Sequence, residues 1–203
     1  MKALYVTDRR AIGDPAFRRI LTALAGAPGL AVQLREAEGS DAARLGWARF
    51  ARSTLGLETP LYVSRRFDVA LAADAQGVHL PADGVPPSRV RANTPRGFRI
   101  GLSTHSTEEA RRAIEDAADL VVIGPVFDTP SKRAYGPPLG LASLEKLPPL
   151  AAHGREVFAI GGIDEARLQQ LAALRDRVSG IAAIRLFQES GDPRRTAERV
   201  AAA

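Results

Sequence analysis

The stretch from Gly101 to Gly140 holds the side chains best suited to chemistry, with His105 after one short apolar run and Lys132 after the next. An imidazole ionises near neutrality and can give or take a proton there. Lysine offers a mobile point charge to a phosphate or pyrophosphate, and Lys132 is one of three lysines in a chain that otherwise uses arginine. Asp128-Thr129-Pro130-Ser131 lead into it along a long loop, and Gly136 would let that loop close over a ligand. Further on, Gly161-Gly162 precede a helix start near Asp164, where bare backbone N–H groups can cradle a phosphate. Arg185 follows the last apolar run and adds a charge beside that cradle. Together these residue types read as proton transfer next to a bound anion. The other two histidines read differently. His79, inside Gly-Val-His-Leu, is expected as a satisfied core or barrel-lining residue, and His153, after Pro148-Pro149, as an exposed loop residue.

Eight short aliphatic runs must position these groups: Ala3 to Thr7, Leu30 to Leu34, Leu61 to Val63, Gly77 to Leu80, Phe98 to Leu102, Asp119 to Gly124, Val157 to Ile160, and Gly180 to Ala183. Each is long enough for a buried strand and too short for a helix. Helical segments are expected between them at Pro15 to Gly26, Asp41 to Leu55, Arg65 to Ala75, Pro87 to Asn93, Ser106 to Ala117, Leu141 to Leu147, Asp164 to Leu174 and Thr196 to Ala202. Ser106 with Glu109 three residues on makes a capping box, so Ser103, Thr104 and His105 fall in the exit from a strand.

Eight βα units predict an α/β protein, a single-domain (β/α)8 TIM barrel over residues 1–203. An open doubly wound sheet would want a glycine-rich turn after the first strand, and Thr7-Asp8-Arg9-Arg10 has none. A barrel places function at the C-terminal ends of its strands. The polar residues expected there are Asp8; Gln33, Arg35 and Glu36; Ser64 and Arg65; Asp83; Ser103 and His105; Thr129, Ser131 and Lys132; Gly161 and Gly162; and Arg185.

Composition excludes several classes. The 203 residues are 45% hydrophobic and 25% charged, enough for one sizeable core. No run approaches the roughly 18 apolar residues of a membrane span, and the start, MKALYVTDRR, turns charged too soon for a signal peptide, so a cytoplasmic protein without membrane contact is expected. The absence of cysteine removes disulfides, thiol nucleophiles and thiolate metal sites. A net charge of +5 invites nucleic acid as a partner. The arginines are spread along helices and aromatic residues make up only 5% of the chain, so a solvated basic surface is expected instead. A homo-oligomer is left open.

These motifs resemble the thiamine phosphate synthase and TenI superfamily along the whole chain. LYVTDRR, VQLRE, RFDVALAADAQGVHLP, GLSTHSTEEA, ADLVVIGPVFDTPSKRAYGPPLG, VFAIGGID and SGIAAI fall in that family's order and spacing. Synthases join a pyrimidine pyrophosphate to a thiazole phosphate with Mg²⁺ on the departing pyrophosphate. In that pattern a lysine belongs at Ala37, an Asn-Asp pair at Ser64-Arg65 and a metal aspartate at Gly84; only Asp83, one residue displaced, could partly replace the missing ligands.

The TenI branch also lacks those carboxylates and keeps the histidine. The resemblance therefore implies a thiazole tautomerase acting on a thiazole carboxylate phosphate, with His105 carrying the proton and no metal or other cofactor. It places the phosphate on Gly161, Gly162, Ile184 and Arg185 with Lys132 near, and Gln33 and Arg35 against the ring or carboxylate, Arg35 being suited to a bidentate contact. The synthase, in which case Mg²⁺ would be required, and a non-catalytic phosphate-binding regulatory barrel are the alternatives.

Overall fold

The computed structural model describes residues 1–36, 39–129 and 137–203. Ala37, Pro130, Ser131, Lys132 and Gly136, all used above, lie outside the described residues. Strands β1 (Lys2–Val6), β2 (Leu30–Leu34), β3 (Leu61–Ser64), β4 (Gly77–Leu80), β5 (Arg99–Thr104), β6 (Leu120–Ile123), β7 (Glu156–Ile160) and β8 (Gly180–Ala183) pair in chain order into a closed parallel barrel. Closure runs through β1 and β8, with Leu4 opposite Ala182. The expected single-domain α/β barrel is the observed fold.

Alternation along each strand sends one set of side chains outward and the other inward. Outward residues such as Tyr5, Val32, Leu61, Ile100, Val121 and Ile181 are buried under the helices and make the main core. Inward residues Leu4, Val6, Tyr62, Leu120, Val122 and Phe158 make a second, smaller core along the barrel axis. Full burial of each aliphatic side chain stabilises by roughly 1.5–3 kcal/mol. Both faces being covered explains why the strands read as aliphatic runs rather than alternating patterns.

The helices are α1 (Arg9–Leu24), α2 (Asp41–Leu55), α3 (Phe67–Ala72), α4 (Pro87–Arg91), α5 (Thr107–Glu115), α6 (Leu141–Glu145), α7 (Leu150–His153), α8 (Glu165–Ala172), α9 (Arg185–Gln188) and α10 (Pro193–Ala202). α1 is interrupted at Gly13, so its regular part begins where Pro15 predicts. α3 is shorter than the expected Arg65 to Ala75, because Arg65 takes a left-handed φ of 68° and ends at a turn.

Two four-residue helices, α7 and α9, were not expected. α7 corrects the placement of His153, which is helical and half-buried rather than a freely exposed loop residue. Its Nδ1 accepts from the Arg155 N–H at 3.0 Å, and its Nε2 is buried without a partner. Burial lowers its pKa. No described helix is long and apolar enough to cross a membrane.

Candidate functional site

Parallel strands deliver all their C-terminal ends to one rim, and hydrogen bonds tie that rim together strand by strand. After β1 and β2, the Arg35 guanidinium reaches Asp8 at 3.2 Å and the Arg35 N–H donates to Thr7 Oγ1 at 2.9 Å. Glu36, 7% exposed, accepts from Arg9 through Oε2 at 3.0 Å, while its Oε1 is buried without a partner. Gln33 Nε2 on β2 donates to Ser64 Oγ on β3 at 2.9 Å. His79 Nε2 on β4 meets Ser103 Oγ on β5 at 2.8 Å. After β8, Gln188 Nε2 donates to the Asp8 carbonyl at 3.0 Å and closes the ring.

His105 stands at the exit of β5, held from two sides. Its ring Nδ1 lies 2.9 Å from the Gly124 carbonyl after β6. A carbonyl only accepts, so in the neutral ring Nδ1 carries the proton and Nε2 keeps a lone pair. Nε2 has no partner among the described residues, and the side chain is exposed. The expected capping box is modified. The Ser106 hydroxyl accepts from the Glu109 N–H at 3.1 Å, but the Glu109 carboxylate reaches one residue further back, to the His105 N–H at 2.7 Å. The first turn of α5 thus fixes the backbone of His105 as well as starting the helix.

The Gly161-Gly162 turn has the geometry of an anion cradle. Both glycines have positive φ, 101° and 66°. A Cβ on Gly161 would stand 2.7 Å from Pro125 Cβ, and one on Gly162 2.5 Å from the Asp128 carbonyl, so the turn is pressed against the loop after β6. Neither N–H donates to a described acceptor. Opposite them, Arg185 reaches Thr129 Oγ1 at 3.4 Å, joining the β8 exit to the same loop. Ile184 is the N-cap of α9. The structure thus brings Gly161, Gly162, Thr129, Ile184 and Arg185 to one side of the rim; Ser131 and Lys132 lie outside the described residues.

The donor set does not fit Mg²⁺. Asp83 is exposed in the turn after β4 closed by the Gly84 N–H on the Pro81 carbonyl at 3.0 Å. The β3 exit offers Ser64, which is bound to Gln33, and Arg65, a cation. The next acidic residue, Asp68, has both oxygens on Arg66. Among the described residues no group of three or more His, Cys, Asp or Glu could hold a metal ion. At the β3 and β4 exits a magnesium site would have Asp83 as its single carboxylate and would depend almost wholly on substrate oxygens.

His79 adjoins these residues through Ser103, and sequence reasoning missed its unmet ring nitrogen. It lines the barrel as expected and is 3% exposed, but it is not fully satisfied, since Nδ1 is buried without a partner. Burial pushes its pKa down to about 4, so the ring is neutral. The signal that could have found it is the strand register, which sets His79 opposite Gly101, two residues before Ser103.

Comparison with known proteins agrees with this architecture. The family described as thiamine monophosphate synthase, TMP-TENI, matches residues 3–187. A thiamine-phosphate synthase from Methanoculleus marisnigri is 36% identical over 98% of this chain and 96% of its own length. One from Roseiflexus sp. is 35% identical over 93% of this chain and 78% of its own. The structure of a thiamine phosphate pyrophosphorylase from Pyrococcus furiosus superposes with a TM-score of 0.82 at 28% identity, covering 99% of this chain and 94% of that one. A 3-hexulose-6-phosphate synthase, at 16% identity and a TM-score of 0.70, shares the fold. With its barrel, its rim motifs and these relatives, the chain belongs to the TMP-TENI family and is an enzyme of thiamine biosynthesis.

Proposed function

We propose that the chain is a thiamine-phosphate synthase, a transferase that joins a pyrimidine pyrophosphate to a thiazole phosphate. A C–N bond forms at the pyrimidine's methylene carbon as its C–O bond breaks and pyrophosphate departs. The observation that carries this reading is the backbone cradle at Gly161-Gly162 beside Arg185 and Thr129, a ready seat for a phosphate. The names of relatives that align along almost the whole chain support the transferase over the tautomerase the sequence alone favoured. Under this reading Gln33, Arg35 and Ser103 orient the rings and acidic groups, and Lys132 lies on the loop that follows Thr129.

A specific observation favours a second reading, the thiazole tautomerase. The β3 and β4 exits offer a cation and a single displaced carboxylate where a metal would steady the pyrophosphate, while His105 Nε2 has no partner among the described residues and keeps a lone pair able to take a proton. The deciding experiment supplies purified protein with both phosphorylated precursors, with Mg²⁺ and with EDTA, and separately with the thiazole carboxylate phosphate tautomer. Condensation that requires Mg²⁺ supports the synthase. Isomerisation insensitive to EDTA, without condensation, rejects it in favour of the tautomerase.

A further inference from the structure

Four polar side chains cross the barrel interior on consecutive strands: Gln33 on β2, Ser64 on β3, His79 on β4 and Ser103 on β5. They sit among the aliphatic side chains of the inner core, where each unmade hydrogen bond costs about 1–3 kcal/mol. They pair in two couples with the same pattern. The Gln33 amide donates to Ser64 Oγ at 2.9 Å, and His79 Nε2 lies 2.8 Å from Ser103 Oγ. Ser64 and His79 are themselves register partners, so the couples are adjacent.

The direction of the second hydrogen bond follows from the other ring nitrogen. His79 Nδ1 is buried and has no partner, and it faces Gly101 so closely that a Cβ there would come within 2.5 Å of it. A proton on Nδ1 would be an orphaned buried N–H, which folded proteins avoid more strictly than an unused lone pair. The neutral ring therefore carries its proton on Nε2, the opposite tautomer from His105. Burial, which holds the ring's pKa down to about 4, keeps the second proton off. Nε2–H then donates to Ser103 just as the Gln33 amide donates to Ser64. Each serine oxygen is an acceptor within its couple, and neither hydroxyl proton has a described acceptor.

We propose that His79 and Gln33 are positioning residues that set the polarity of Ser103 and Ser64, so that both hydroxyls present O–H to the substrate and this wall of the site reads hydrogen-bond acceptors. A phosphate or carboxylate oxygen, or an unprotonated ring nitrogen, is recognised there; a donor could use only the one lone pair left on each oxygen and would leave the hydroxyl proton without an acceptor, so it is disfavoured. This rests on Ser103 facing substrate, as the synthase reading has it, and it adds a role for His79 and Ser64.

The test begins with the wild-type protein labelled with ¹⁵N in its histidines. Long-range ¹H–¹⁵N spectra are expected to show His79 Nε2 protonated and Nδ1 bare at neutral pH; the reverse tautomer, or an imidazolium, overturns the proposal. This readout needs no turnover, so it stands even if neither enzymatic assay succeeds. Variants then use thiazole phosphate as probe, with binding measured by calorimetry. H79Q keeps a donor near Nε2 and is expected to bind within about 5-fold of wild type, whereas H79L loses about 30-fold. S103A is expected to add almost nothing in the H79L background. Equal loss in H79Q and H79L, or full additivity of H79L with S103A, overturns the proposal. Circular dichroism checks that each variant is folded.

Discussion

The two ends of the barrel use charge differently. At the N-terminal end ionic groups neutralise one another. Glu156, at the start of β7, pairs with Lys2 of β1 through one oxygen and with Arg99 of β5 through the other, the latter at 3.0 Å. Asp119 holds Arg91 and, at 3.2 Å, Arg155, and accepts the Ile100 N–H at 2.8 Å. At the C-terminal rim some groups pair in the same way, Arg35 with Asp8 and Arg9 with Glu36, but others are left unfinished. The Arg65 guanidinium has no partner among the described residues, His105 keeps a lone pair, and the Gly161 and Gly162 N–H groups point at no described acceptor. The difference teaches that one end is closed in ways that stabilise the sheet, while the rim where barrels of this kind place function leaves several donors and acceptors without described partners.

The comparison breaks most visibly at His105. Replacing it with alanine is expected to lower tautomerisation by about 10²–10⁴-fold while thiazole phosphate binding stays within a few-fold, because general acid–base help has that magnitude. If condensation is the reaction, the same variant should keep most of its turnover, and steady-state rates with both substrate sets separate the two cases.

His79 gives the next largest effect, read as stability against pH. An unfolded histidine ionises near 6.5 and the folded one near 4. Between those values the unfolded chain binds a proton that the folded chain refuses. The contribution is therefore complete above pH 6.5 and is lost as pH falls toward 4, by about 3 kcal/mol. Urea unfolding at pH 7, 5.5 and 4.5 should trace that loss, and H79Q should flatten it.

At the closed end, Asp119→Ala should destabilise by about 2 kcal/mol through the loss of its hydrogen bond to Ile100 and its two arginines. Both kcat and KM should stay unchanged. A changed KM would mean that the two ends are coupled. The smallest effect belongs to Arg65, a non-glycine residue with φ of 68°. Arg65→Gly should raise stability by about 1 kcal/mol while weakening pyrophosphate binding several-fold. A loss of stability would show that the open rim costs nothing at this position.

Much of this was legible in the chain because strands buried on both faces read as unbroken aliphatic runs, and all eight were located within a residue or two at each end. α7 and α9 were not, since four residues give no helical period to read. The Ser106 cap was visible, yet the reach of Glu109 back to His105 was not, because a side chain's choice between adjacent N–H groups depends on local geometry. Gln33, Ser103, Thr129, Ile184 and Arg185 came from strand-end reasoning and family resemblance, and the structure brings them to one rim. The role of His79 needed the register of neighbouring strands, which is a long-range fact. Family motifs alone favoured the tautomerase; the names of full-length relatives shift the balance to the transferase.

Gly101 and His79 occupy one volume between them, since a Cβ on the glycine would collide with the imidazole. The two positions are therefore a single steric unit in evolution as well as in design. Among related sequences, a larger residue at 101 should appear only where 79 has become smaller, so drift at either position is gated by its neighbour on the adjoining strand.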